Sequence, residues 1–132
     1  MMLDSSVLIG HLRQSNTPEV RRLRKALETR EPLILPDIVL MEVLSGARDL
    51  AAFLRLEQNL LRHRRFVPQD GRALARHAAW LYARCRWAGI TPRSPNDCLV
   101  ACSAIEAGEP LLHQDRDFER IASIEPALRL VN

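Results

Sequence analysis

Two aspartates, Asp115 and Asp117, stand one residue apart at the end of an apolar stretch, PLLHQDRDFERI. A turn needs one such residue at most, so the pair points to chemistry. Three more acids complete the set. Asp4 directly follows the opening MML, Glu42 lies in PDIVLMEVLSGA, and Asp97 lies in RSPNDCLVACSAI. Glu42 is flanked by Met41, Val43 and Leu44 in a segment with almost no other polar residue, so it faces the only wet side or is buried for a purpose. Asp4 and Asp97 also have local uses, as a helix cap and as an acid favoured by a helix N-terminus. Carboxylates that cluster repel one another unless they share protons or a cation. An all-oxygen donor set suits a hard divalent ion, and Mg²⁺ takes a few carboxylates while leaving room for phosphate oxygens. Such a site lowers the pKa of a bound water and aligns it with a phosphodiester. The chain offers no rival nucleophile: it lacks G-x-S-x-G, a Walker lysine loop and G-x-G-x-x-G. None of His11, His63, His77 and His113 stands in a recognisable acid–base pairing, and His113, two residues before Asp115, reads as structural.

Elements that would hold these acids alternate along the chain. MML, PLIL (32–35), RRFVP (64–68), PLLHQ (110–114) and ALRLVN (127–132) read as short strands. Between them, Asp4 opens a helix over Val7–Arg13, and Thr17 with Pro18 opens one carrying Val20, Leu23 and Leu27 at helical spacing. Further helices run from Pro36 to Gly46, from Asp49 onward, from Asp70 to Gly89, from about Pro95 to Gly108, and over DFERIAS. The Pro95–Gly108 segment is apolar nearly all round, which marks a central buried helix. This alternation predicts an α/β fold, a three-layer α/β/α sandwich on a short-stranded, mainly parallel sheet. In such sheets ligands bind beyond the carboxyl ends of the strands. Asp4 and Asp115 each follow a strand, Glu42 lies about two turns into a helix, and Asp97 sits in the first turn of the buried one. The topology therefore gathers four remote acids at one sheet edge.

Length and composition limit the alternatives. A chain of 132 residues, 47% hydrophobic, suits one domain over residues 1–132. No apolar run approaches the roughly 18 residues of a membrane span, and Asp4 interrupts an N-terminus that has no basic start, so a cytoplasmic protein is expected. Cys85, Cys98 and Cys102 have no disulfide or zinc spacing and read as buried thiols. All but one of the 19 basic residues are arginine, Lys25 being the exception. With five of the 16 acids in one pocket, 11 remain against 19 bases, a surplus of eight over the rest of the surface. An acidic hole in a basic surface suits a metal-bridged polyanion.

The segments LDSSVLI, MEVLSGA, RSPNDCLVACSAI and LLHQDRDFERIA together resemble the PIN-domain ribonucleases, specifically the VapC toxins of bacterial toxin–antitoxin pairs. The resemblance runs from residue 2 to about residue 122. It implies a Mg²⁺- or Mn²⁺-dependent endoribonuclease acting on structured RNA, often tRNA. Asp4, Glu42, Asp97 and Asp115 match the family's four metal-site acids. Ser6 matches the small polar residue that hydrogen-bonds within the site, Asn96 the residue before the third acid, and Asp117 the more variable second acid of D-x-D-F. Asp117 is expected to cap the short helix over Phe118–Ile121 and to support the site from outside. Hydrolysis by metal-activated water leaves 5′-phosphate and 3′-hydroxyl ends. The likeness also implies a homodimer and a VapB-type antitoxin whose C-terminal segment lies across the acid pocket, commonly with an arginine reaching the acids. Candidate RNA contacts are Arg21 and Arg22 in VRRLRK, Arg64 and Arg65 in RHRR, and Arg93 beside Asn96 and Asp97. Trp80 and Trp87, seven apart on one helix face, read more as core than as a contact surface. A non-catalytic PIN-like module binding RNA or protein is the alternative. A phospho-acceptor receiver domain would need a late lysine that the chain lacks, and a histidine-dependent ribonuclease would resist EDTA.

Overall fold

The computed structural model describes residues 1–131. Among them, four two-residue strands form a wholly parallel sheet in the order β3-β2-β1-β4: β1 Met2–Leu3, β2 Ile34–Leu35, β3 Arg64–Arg65 and β4 Leu111–Leu112. Parallel strands need crossovers, and the intervening segments supply seven helices. These are α1 Ser5–Leu12, α2 Pro18–Glu28, α3 Asp37–Leu44, α4 Leu50–Leu60, α5 Gly71–Trp87, α6 Pro95–Ala107 and α7 Asp117–Ile124. They form two packed groups, α1 with α2, α3 and α4, and α5 with α6 and α7. The α/β fold expected from alternation is therefore present.

Strands this short rest on burial rather than on ladder length. β1, β2 and β4 are buried at every residue, while β3, at the edge opposite β4, is two exposed arginines. Charge on an edge strand opposes further pairing. The fifth strand expected at ALRLVN is instead one bridge, Leu130 opposite Leu111. β4 ends at Leu112, so this edge offers only Leu111, whose N–H donates to Arg129 O (2.9 Å) and whose carbonyl accepts from Val131 N–H (2.9 Å). Asn132, the last residue of that expected strand, lies outside the described residues.

Capping chemistry sets the helix starts. Asp4, Thr17, Asp49, Asp70 and Ser94 each accept a backbone N–H from the first turn of the following helix, α1, α2, α4, α5 and α6 respectively. α6 buries Cys98, Val100, Ala101, Cys102, Ser103 and Ala104. The small residues let α5 approach closely, and Ser103 Oγ satisfies itself on Leu99 O at 2.7 Å. Gly108 ends α6 with φ +67°, a conformation glycine adopts freely. The three cysteines are buried, and burial pushes the Cys98 and Cys102 thiols up to about 12, so they pack as apolar groups. No helix among the described residues is long and apolar enough to cross a membrane.

Parallel pairing matches Leu3 with Leu112, so Asp4 and the turn after β4 emerge at the same sheet end, joined by Asp4 N–H to Leu112 O at 3.0 Å. The α5–α6 packing beneath this end should dominate stability. Leu81→Ala removes a fully buried side chain from α5 and should cost about 2–5 kcal/mol in urea unfolding. Leu50→Ala, at a position 71% exposed, should change it by less than about 0.5 kcal/mol.

Candidate metal centre

Asp4 is 4% exposed at the N-cap of α1. Its Oδ2 accepts from Ser6 N–H at 3.0 Å and from the Ser6 hydroxyl. Ser6 Oγ in turn accepts from Gln114 N–H at 2.9 Å, which ties the first acid to the exit of β4. Burial raises the Asp4 carboxyl, the Ser6 and Ser5 hydrogen bonds oppose the rise, and the nearby Asp115 charge adds to it. Glu42, the sixth residue of α3, is half-buried and accepts from Ser5 Oγ at 3.3 Å. Burial and then the charge of Asp4 raise it.

Asp97 is the meeting point. It stands in the first turn of α6, behind Asn96, whose backbone N–H donates to Ser94 Oγ at 3.1 Å. Burial pushes its carboxyl up to about 7, reinforced by the charges of Asp4, Asp115, Asp117 and Glu42. The other four sequence-derived acids thus all act on Asp97. Oxygen atoms from three of them, Asp97, Asp115 and Asp117, lie within 4.8 Å of one another.

Asp117 departs from its expected role as a cap. Asp115 Oδ1 accepts the Asp117 N–H at 3.0 Å, so Asp115 holds the start of α7, which runs to Ile124. Asp117 is buried instead, with Oδ2 accepting from Arg93 N–H at 3.1 Å and Oδ1 3.5 Å from Arg120 Nη1. The D-x-D spacing was the available signal. Across a helix start it turns both carboxylates inward, which a strand-like alternation also suggests but a capping role does not. Arg116, between them, occupies the N-cap position and is exposed. Burial would raise Asp115, but the Asp117 N–H and Arg93 outweigh it and hold the group below its ordinary value. His113 is buried, with Nδ1 2.8 Å from Asp115 O and its ring tilted on Phe118 at 5.3 Å, so it shapes the turn.

The arginine candidates disperse. Arg93 pairs with Asp115 and lies 3.7 Å from Asp117 through Nε. Arg65 makes a two-pronged pair with Asp37 (3.0 and 2.7 Å), and Arg22 one with Glu31 (2.8 Å twice). Glu31 also feels the N-terminal amine, so Arg22 sits at the end of β1 opposite Asp4. Arg21 donates to Asn16 O at 2.7 Å, and Arg64 is exposed with no side-chain partner among the described residues. Trp80 and Trp87 are 48% and 70% exposed rather than core, stacked edge to face at 5.7 Å.

The PIN domain family matches residues 1–124. This chain belongs to the PIN-domain family, in its VapC branch. It is 36% identical over 127 residues to VapC ribonuclease Mb1587 of Mycobacterium bovis and to ribonuclease VapC11 of Mycobacterium tuberculosis, covering 94% of this chain and 92% of each relative. Its fold is similar to VapBC2 of Rickettsia felis bound to a promoter DNA fragment (TM-score 0.72, 19% identity) and to VapBC-1 of nontypeable Haemophilus influenzae (TM-score 0.72, 21% identity). Each of those matches covers 99% of this chain and 96% of the other.

The crowded acids of this PIN domain give a pH signature in EDTA. Asp97 sits at about 7 folded against 3.8 as its ordinary value, so folding retains a proton between those values. Its stabilising contribution is complete below about pH 4 and lost as pH rises through about 7. His11 and His63, lowered by burial, act in the opposite sense, so the difference between wild type and Asp97→Asn is the useful quantity. Relative to wild type, the variant should gain about 1–2 kcal/mol between pH 5 and 8 in thermal unfolding, allowing for solvent screening of a half-exposed group.

Proposed function

We propose that residues 1–132 act as one nuclease domain, the cytoplasmic endoribonuclease toxin of a toxin–antitoxin pair. One observation carries this reading: in a VapC-branch PIN domain, Asp4, Glu42, Asp115 and Asp117 all bear on the half-buried Asp97. The donor set fits a hard divalent ion, because every donor is a carboxylate oxygen and three of them converge within 4.8 Å. When bound, Mg²⁺ or Mn²⁺ supplies an acidified water and neutralises charge on a phosphodiester. Asp97 and Asp115, with Asp4 and the adjoining Asp117, would hold it. Glu42, raised by burial and by Asp4, is suited to take the proton of the attacking water. Ser6 keeps Asp4 oriented, and Asn96 precedes Asp97 in the first turn of α6.

The attack needs no ribose 2′-hydroxyl, so the products carry 5′-phosphate and 3′-hydroxyl ends. Structured RNA such as tRNA is the substrate this reading favours, approached by a surface with a surplus of arginine. The partners are a VapB-type antitoxin and a second copy of the chain. In support, a cleft of about 250 Å³ lined by Leu8, Leu12, Leu27, Leu56 and Leu60 beside α1 offers an apolar seat for a peptide segment.

Asp97→Asn and Asp115→Asn should each lower RNA cleavage about 10²–10⁴-fold while leaving the circular dichroism spectrum unchanged. EDTA should stop the wild type, and Mn²⁺ should restore it. End mapping that returned 2′,3′-cyclic phosphates, or full activity in either variant, would contradict the scheme.

A further inference from the structure

The mechanism leaves Arg93 without a part, although it is the cation closest to the acids. Its position is set by backbone rather than by its own side chain. Gly89 turns the chain out of α5 at φ +81°, with Ile90 N–H returning to Cys85 O at 2.8 Å. Pro92 is buried, Arg93 N–H is fixed on Asp117 Oδ2, and Ser94 caps α6. The guanidinium then folds onto Asp115 Oδ2 and lies 3.7 Å from Asp117 Oδ2. Those carboxylates are two of the three whose oxygens converge with Asp97. Arg120 also approaches Asp117, at 3.5 Å on Oδ1, but it does not reach Asp115.

Exposure shows what kind of contact this is. The Arg93 side chain is 79% exposed, whereas those of Asp115 and Asp117 are 15% and 10%. An exposed guanidinium over sheltered carboxylates is a weak, solvent-screened pair. A divalent ion using the same oxygens meets a competitor that can leave. The competitor cannot go far, because its backbone stays tethered to Asp117 and to the start of α6. A planar fork held beside a metal centre is the geometry that grips a phosphate with two parallel N–H groups.

We propose that Arg93 is a built-in counter-cation of Asp115 and Asp117 that the divalent ion displaces, and that the displaced guanidinium then binds a phosphate of the RNA. This inference rests on the metal-dependent nuclease reading. It makes Arg93 a substrate-binding residue whose free and loaded positions differ.

Manganese binding, followed by electron paramagnetic resonance or calorimetry, tests it without turnover. Wild type, Arg93→Ala, Arg93→Lys and Asp115→Asn are titrated with Mn²⁺ alone. Arg93→Ala should bind Mn²⁺ about tenfold more tightly than wild type, because the competing charge is gone, and Arg93→Lys should stay near wild type. With a structured RNA, Arg93→Ala should raise KM about tenfold with kcat within about threefold. Arg93→Lys should recover only part of that loss, having the charge without the fork. Unchanged or weaker Mn²⁺ affinity in Arg93→Ala overturns the proposal, as does an unchanged KM. Mn²⁺ bound by wild type and lost in Asp115→Asn upholds the metal centre whatever Arg93 does. No Mn²⁺ bound by wild type removes the metal reading and this inference together.

Discussion

Mutual repulsion among carboxylates at one end of a four-strand sheet is the constraint that everything else in this protein serves. Burial pushes Asp97 up to about 7, and the like charges of Asp4, Asp115, Asp117 and Glu42 add to the rise. The fold relieves the repulsion in several small ways. Asp4, Asp97 and Asp117 stand at the N-termini of α1, α6 and α7, where the helix dipole favours negative charge by about 0.3–1 kcal/mol each. Ser6 donates twice to Asp4, the Asp117 N–H serves Asp115, and Arg93 and Arg120 close on the outer side. What repulsion remains is what the proposed divalent ion would relieve.

Placing those helix starts together requires little sheet but a firm core. Two-residue strands suffice because their side chains are wholly buried in three of the four, and register between β1 and β4 brings Asp4 beside the turn that carries Asp115 and Asp117. α6 does most of the positioning, since its buried residues pack it against α5, α7 and α3 while its first turn carries Asp97. The buried His113 ring packs on Phe118, with its Nδ1 2.8 Å from Asp115 O, and so fixes the turn after β4. The site is therefore built on elements whose rigidity comes from the core, at a cost in stability that natural proteins commonly accept at functional sites.

Helix boundaries and the four remote acids were legible because they rest on local rules. Ser, Thr, Asp, Pro and Gly punctuate helices within a few residues, and parallel α/β topology sends strand ends to one edge. What the sequence hid depends on distant partners. Arg22, Arg65 and Arg93 read as free charge, yet their carboxylates lie 9, 28 and 22 residues away. Asp117 reads as a cap in the sequence because the backbone N–H it accepts, that of Arg93, comes from another segment. Trp80 and Trp87 share a face by spacing, but spacing alone does not say whether that face meets the core or solvent. The final strand failed for want of partner length, since β4 stops after two residues.

Anomalous diffraction from crystals soaked in Mn²⁺ tests the central claim most directly. A peak bridging carboxylate oxygens of Asp97, Asp115 and Asp117, at the distances of oxygen ligands and with Asp4 and Glu42 bordering it, is the expected result. Ordered manganese elsewhere on the protein, with these five side chains still bare or splayed apart, would contradict the claim that their repulsion is arranged to capture a cation.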